Sequence, residues 1–448
     1  MLKLKKSDLL NWFESGEKSK KDWKIGTEHE KFVFHENSFN RVGYFGKSGV
    51  SELLNKLAEK NDWEKIVENN NTIALKDHTG ASISLEPGGQ LELSGKPLEN
   101  LHQTCKETGL HLKMVKDLMS ELGLSMIGLG YDPKWSRLDQ HWMPKGRYEI
   151  MKNYMPKVGK LGLDMMLRTC TIQVNLDYLS EKDMVQKFQI SLALQSVATA
   201  LFANSPFIEG KTSGYLSSRA MVWTDTDPDR TGVPGMVFES DFGYESWLNY
   251  ILHVPMYFIY REGKYIDVSG QSFIDFMHGK LMGFEGEYPT IKDWEDHITV
   301  VFPEVRLKQY LEMRGADGGP WNIICALPAL WVGLLYDDQS QSEAYDLAKP
   351  LMDVRVLEDG RVSAAKLGLG GKIGDTSIEY LATEMLKISN SGLERRNKLD
   401  YKGLDETQFL DPLFNILRNK ETGAEKLLKK YNSTWNKDIN RIFVENSF

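Results

Sequence analysis

Cysteine is scarce: Cys105, Cys170 and Cys325 are the only three in 448 residues. That is too few for a disulfide-built secreted scaffold, and no pair has the CxxC spacing of a thiolate zinc site. A reducing cytoplasm is the expected compartment. No run of 18 apolar residues occurs, so no membrane span is expected. An excess of basic residues is missing as well. Lys and Arg number 55 against 63 Asp and Glu, a net charge of −8, which disfavours nucleic-acid binding because that requires a basic surface. Small molecules are therefore the expected partners. The opening Met1–Leu10 is basic but carries Asp8 and is followed by Glu14. It lacks both a signal-peptide apolar stretch and the acid-poor character of a transit peptide, and reads as a first amphipathic helix. Repeats, low-complexity tracts and Pro/Gly/Ser linkers are absent too. Length alone allows one large domain or two closely packed ones.

The pattern that is present is mixed. Helical stripes are predicted over 5–20, 48–60, 98–121 and about 183–203, a turn-rich segment over 69–81, and a strand over 82–86 that Pro87-Gly88-Gly89 breaks before it resumes at 90–93. Val254–Arg261 and Lys264–Val268 flank Glu262-Gly263 as a hairpin. Few βαβ units can be traced, which favours an α+β fold with a largely antiparallel sheet backed by helices.

Four segments put carboxylates and amides on one face of predicted strands: Ile25–Glu30, Ser84–Glu92, Thr171–Asn175 and Tyr310–Arg314. Residues i and i+2 share a face of a strand. Glu28 thus pairs with Glu30, Gln173 with Asn175 and Glu312 with Arg314, while Ile172, Val174, Leu176, Leu311 and Met313 face the other way. On a concave sheet, Glu28, Glu30, Glu86, Glu92 and Glu312 could hold hard divalent cations for phosphate chemistry. His29 falls on the opposite face and reads as strand-exterior, His102 and His111 as structural, and Cys170 as a small packing residue. Single carboxylates such as Glu99 and Glu149 read as solvated.

Cations form a second group: Lys145, Arg147, Lys152, Lys157, Lys160 and Arg168, then Arg219 and Arg230. A guanidinium fork suits carboxylate or phosphate oxygens. Most of the lysines read as a solvated face, whereas Arg147 and Arg219 sit among Gly, Ser and aromatic residues. Gly368–Gly374 imitates a phosphate loop, but Ile373 stands where that motif needs Ser or Thr, and a turn is the better reading.

Taken together these segments resemble the plant-type glutamate–cysteine ligase family. The resemblance rests on IGTEHEKF (25–32), SLEPGGQLELSG (84–95), LHQTC (101–105), MPKGRYEIMKNYMPKVGKLGLDMMLRTCTIQVNLD (143–177), WTDTDPDRTG (223–232), FPEVRLKQYLEMRGADGGPW (302–321) and LPALWVGLLYDD (327–338). It implies ATP-dependent joining of the L-glutamate γ-carboxylate to L-cysteine, on a glutamine-synthetase-like sheet carrying Mg²⁺. A glutamate ligase using another amine is the alternative. The resemblance further implies Glu28, Glu30, Glu86, Glu92, Asn175 and Glu312 as metal and ATP-phosphate ligands, and Arg314, with Glu312, as the catalytic pair at the transferred phosphoryl group. Arg147, Arg219 and Tyr257 fall at its amino-acid substrates, Tyr257 on resemblance alone. One elaborated catalytic domain over 1–448 is expected, with its core at 20–340 and a helical region at 341–448, as a monomer or homodimer. Cys105 and Cys325 match one regulatory disulfide of plant members, while Val268 and Gly283 replace the other pair. With the short N-terminus, that departure favours a bacterial cytoplasmic enzyme.

Overall fold

The carboxylate-bearing segments fold side by side. The computed structural model describes residues 3–448. Its main sheet has nine strands: β1 (Ile25–His35), β2 (Glu64–Glu68), β3 (Asn71–Lys76), β4 (Ser82–Leu85), β5 (Leu91–Ser94), β6 (Leu124–Ile127), β7 (Thr171–Leu176), β8 (Val305–Leu307) and β9 (Leu311–Asp317). The order is β8-β9-β7-β1-β5-β4-β3-β2, with β6 on the later half of β1. Every pairing in it is antiparallel. The α+β reading therefore holds.

Register converts strand parity into rows of side chains, because directly opposed residues share a face. Arg306, Glu312, Asn175 and Gly26 form one row. Glu28 opposes Gln173, and Glu30 opposes Glu92, which opposes Ser84. Gly26 is the gap in the first row: a Cβ there would sit 3.1 Å from the Asn175 Cβ. The register slips between Met313 and Ala316, a bulge that re-aims the strand at Arg314.

The other face is the core. Ile172, Val174, Leu176, Leu311 and Met313 are all buried there. Helix Trp321–Leu335 is apolar around its whole circumference because it packs on β7 and β1 on one side and on helix Ile378–Arg396 on the other. Helix Leu101–Glu121 packs on β1 and β6, and Glu181–Leu201 on β9.

Several expectations need correction. The first helix ends at Glu14, and a separate 3₁₀ turn covers Lys20–Asp22. The segment read as turn-rich contains β3, and its partner β2 lies just before it; Asn69 and Asn70, at φ +48° and +64°, make the hairpin between them. Edge strand β2 and its neighbour β3 are half polar, which hid their alternation. His29 is not exterior but fully buried behind the sheet, where Lys31 Nζ lies 2.9 Å from its Nδ1 and 3.0 Å from His111 Nε2. The hairpin at Phe258–Arg261 and Lys264–Asp267 forms around Glu262-Gly263. Gly368, at φ +55°, ends helix Val354–Leu367 in a buried turn. Among the described residues no helix is long and apolar enough to cross a membrane.

Candidate active site

The front of the sheet floors a cleft of about 300 Å³ in which the two charge groups meet. Glu28, Glu30, Glu86 and Glu92 line it together with Lys145, Arg147, Arg219, Arg306 and Arg314, and Met151, Met166, Trp223 and Phe302 add apolar wall.

Local structure explains each placement. The turn after β4 presents Glu86: its N–H donates to Gln90 O at 2.9 Å and its carbonyl accepts Gly89 N–H at 2.8 Å. Gly89 takes φ +79°, and a Cβ on Gly88 would stand 2.4 Å from the Leu167 carbonyl, so both positions call for glycine. Helix Gly146–Val158 carries Arg147, and the Gly146 N–H at its start donates to Glu68 Oε1 at 2.6 Å. Arg147 Nη2 donates to Thr299 Oγ1 at 3.2 Å, and its guanidinium lies 5.0 Å from the Phe258 ring centre. Arg219 sits on helix Ser218–Val222, capped by the Ser217 hydroxyl, and its Nη2 donates to the Arg314 carbonyl at 2.8 Å. The Nε atoms of Arg147 and Arg219 are buried without partners. Arg314 Nη1 donates to Gln173 Oε1 at 2.7 Å.

Their surroundings shift the carboxylates in opposite directions. Burial, and then the charges of Glu312 and Glu92, push Glu28 up to about 7, against Lys308 and an Asn175 Nδ2 donor at 2.8 Å. Burial and then Glu86 and Glu92 raise Glu30 well above the usual carboxylate range. Glu92 is raised by burial and Glu86, despite the Ser84 hydroxyl at 2.8 Å. Glu312 goes the other way. Burial would raise it, but Arg306, Lys308 and Arg314 outweigh burial and hold it below the usual range.

The profile of Glutamate-cysteine ligase family 2 (GCS2) matches residues 24–445. The chain is 52% identical over 99% of its length to the chloroplastic glutamate–cysteine ligases of Nicotiana tabacum and Arabidopsis thaliana, each covered to 83%. This chain belongs to the glutamate–cysteine ligase family. A solved glutamate–cysteine ligase of Francisella tularensis, in complex with AMP, superposes with a TM-score of 0.54 at 12% identity, covering 94% of this chain and 88% of that one, a likeness of fold. The expected bacterial cytoplasmic location is corrected by the relatives, which are named as chloroplastic enzymes.

Within this glutamate–cysteine ligase family member, Glu28, Glu30, Glu86, Glu92, Arg147, Arg219 and Arg314 come together on the cleft. Asn175 reaches it through Glu28, with its own Oδ1 buried and unpartnered. Glu312 stands behind: its Oε2 accepts from Arg306 at 2.6 Å and pairs with Arg314 at 3.2 Å, while Lys308 is 3.5 Å from Oε1. Tyr257 is placed elsewhere. It is 1% exposed, off the cleft lining, with its ring 3.9 Å from the Arg230 guanidinium and its hydroxyl donating to Asp227 at 3.2 Å. Arg230 is likewise spent on a buried partner, Asp227, whereas Arg168 pairs with buried Asp164 through Nη1 and keeps Nε and Nη2 buried without partners, off the cleft lining.

Residues that sequence reading passed over are Arg306, Lys308 and Lys145. Arg306 shares strand parity with Lys308 and faces Glu312 across a hairpin, a signal that was available. Lys145 read as one of many solvated lysines, yet its Nζ donates to Leu85 O at 2.9 Å and Tyr148 Oη at 3.2 Å inside the cleft.

Magnesium fits the donor set in an open form. No three acidic, His or Cys side chains among the described residues close into a cage. Mg²⁺ binds through one or two carboxylates while keeping waters and substrate phosphates. Hard oxygens, uncompensated negative charge and the orphaned Asn175 Oδ1 meet that requirement.

The last pair is the thiols. Helix Leu101–Glu121 packs on Trp321–Leu335, bringing the Cys105 and Cys325 side chains within hydrogen-bonding reach. Both are free and buried, and burial followed by the neighbouring thiol pushes Cys105 upward.

Proposed function

We propose that the chain joins the γ-carboxylate of L-glutamate to the amine of L-cysteine at the expense of ATP, through a γ-glutamyl phosphate, the first step of glutathione synthesis. The observation that carries this reading is that four carboxylates and four guanidinium groups line one cleft together. In the first step a γ-carboxylate oxygen bonds to the terminal phosphorus of ATP and ADP leaves. In the second the amine nitrogen bonds to the acyl carbon, phosphate leaves, and the nitrogen gives up a proton.

The chain's residues divide that work. Arg147 and Arg219, with donors to spare, grip the carboxylates of the amino-acid substrates. Arg314, braced between Glu312 and Gln173, neutralises charge on the phosphoryl group in transit. Glu28, Glu30, Glu86 and Glu92, with Asn175, would hold Mg²⁺. Bound there, Mg²⁺ supplies charge neutralisation for the polyphosphate and the transferred group. Glu312 fixes Arg306 and Arg314 and can offer Oε1. Arg306, buried and bonded to the Thr299 and Val301 carbonyls at 3.0 and 2.9 Å, ties the segment that touches Arg147 to the strand of Arg314. Residues 1–448 act as one catalytic unit, an assignment supported by the packing of Ile378–Arg396 on the helix behind the sheet.

ADP release, followed with ATP, Mg²⁺, L-glutamate and a panel of amines, tests the assignment. Release that requires glutamate and is fastest with L-cysteine is expected. A faster rate with another amine would move the chain to a different acceptor, and no release with any amine would end the reading.

A further inference from the structure

The helical region after residue 340 reaches the cleft at one place. Arg361, on helix Val354–Leu367, is 7% exposed and lies with Arg219, Trp223, Phe302, Glu304 and Arg314 around a gap of about 10 Å³, room for roughly one water. Arg219, Trp223, Phe302 and Arg314 also line the main cleft, so this gap is its rear wall. Arg361 Nη1 donates to Glu358 Oε2 at 2.6 Å, and Nη2 lies 3.0 Å from Glu304 Oε1. Glu358 Oε1 in turn accepts the Val233 N–H at 3.0 Å. The same helix holds the other arginine's mount. The Ala365 carbonyl accepts the N–H groups of Leu216 and Ser217 at 2.8 and 3.0 Å, and Ser217 caps the short helix bearing Arg219.

Glu304 is the residue at stake. Its backbone carbonyl accepts the Arg314 N–H at 3.0 Å, which holds its backbone beside that of Arg314, and its side chain lines the gap together with Arg219 and Arg314. A carboxylate free in that position would pair with either guanidinium and compete with an anionic substrate for it. A buried ion pair contributes little net stability over an apolar replacement, so packing alone does not require a charge at 361.

We propose that Arg361 is a positioning residue that sequesters Glu304, keeping the Arg219 and Arg314 forks open for the substrate's carboxylate and phosphoryl oxygens. The inference rests on the proposed ligation. Loss of the charge leaves Glu304 to neutralise the two arginines, and removing the Glu304 charge as well frees them again.

The test is a kinetic cycle on the full chain, with kcat/KM for glutamate read by ADP release and folding read by the thermal midpoint. Arg361→Met should lower kcat/KM about ten-fold, within the range by which residues remote from a ligand modulate a site. Adding Glu304→Gln to Arg361→Met should recover much of that loss, which a purely structural role would not do. Wild-type kinetics in Arg361→Met, or a double variant as impaired as the single, would overturn the proposal. If Arg361→Met does not fold, Arg361→Lys decides. An ammonium cannot bridge Glu304 and Glu358 as a fork does, so reduced kcat/KM at an unchanged midpoint supports the proposal and wild-type kinetics overturns it. An inactive wild-type protein would instead refute the ligase reading itself.

Discussion

Glu28, half-buried, and Glu312, fully buried, are carboxylates on the same face of one sheet, yet neutralising them should move stability in opposite directions. Glu312 is 1% exposed, with Arg306, Arg314 and Lys308 at 2.6, 3.2 and 3.5 Å. Glu312→Gln leaves those cations without their counter-charge, and breaking a buried pair on one side costs about 3–5 kcal/mol. That is a large part of the roughly 5–15 kcal/mol that keeps a typical protein folded, so the variant should fold but melt clearly earlier. Glu28 sits instead among like charges, and its ionised form is disfavoured by burial, Glu312 and Glu92. Glu28→Gln removes that repulsion and should hold or raise the melting midpoint measured without Mg²⁺. Both variants should lose turnover on the order of 10²-fold or more, the usual effect of removing a group that manages charge in the transition state. Differential scanning fluorimetry without Mg²⁺, paired with ADP release at saturating Mg²⁺, reads both quantities. A Glu312→Gln protein that melts and turns over like wild type would refute the reasoning, as would a Glu28→Gln protein destabilised as much as Glu312→Gln.

Other expectations are simpler to check. Arg219→Ala should raise the KM for glutamate more than that for ATP in steady-state assays, because a carboxylate clamp is lost; a change confined to ATP would assign Arg219 to the nucleotide. Mild oxidation should link Cys105 to Cys325 and spare Cys170, which has no thiol beside it, as seen in unreduced peptide maps. The bridge would close a loop of roughly 220 residues, worth about 5 kcal/mol at most by chain entropy, and free thiols at both positions would dismiss it. His297, lowered from 6.5 to about 4 by burial, should destabilise the protein in acid. Its neutral form is favoured in the folded state, so its contribution is complete above about pH 6.5 and is lost as pH falls through about 4, on the order of 3 kcal/mol in all. Urea midpoints for His297→Asn should therefore fall less between pH 7 and pH 4.5 than those of wild type; an equal fall would remove His297 as the cause.

The sequence by itself determined which side chains could share a face. Alternation is a local property of a strand, so Glu28 with Glu30, and Glu312 with Arg314, were readable without knowing what lay opposite. The break at Pro87-Gly88-Gly89, the long buried helices and the α+β class were legible for the same reason. Strand β2 at the sheet edge and β3 beside it were not, because half-polar strands need not alternate cleanly. Roles that depend on register were decided only by the tertiary structure. Whether a carboxylate meets other carboxylates or three cations is set by which strands pair and where, and that separated Glu28 from Glu312. Burial likewise turned Lys145 from one surface lysine among many into a cleft residue, and folded Tyr257 away against Arg230. Arg361 lies 47 residues beyond Arg314 in the chain. Only helix packing places it behind that residue, because contacts between distant segments follow from burying apolar faces and not from any spacing along the sequence.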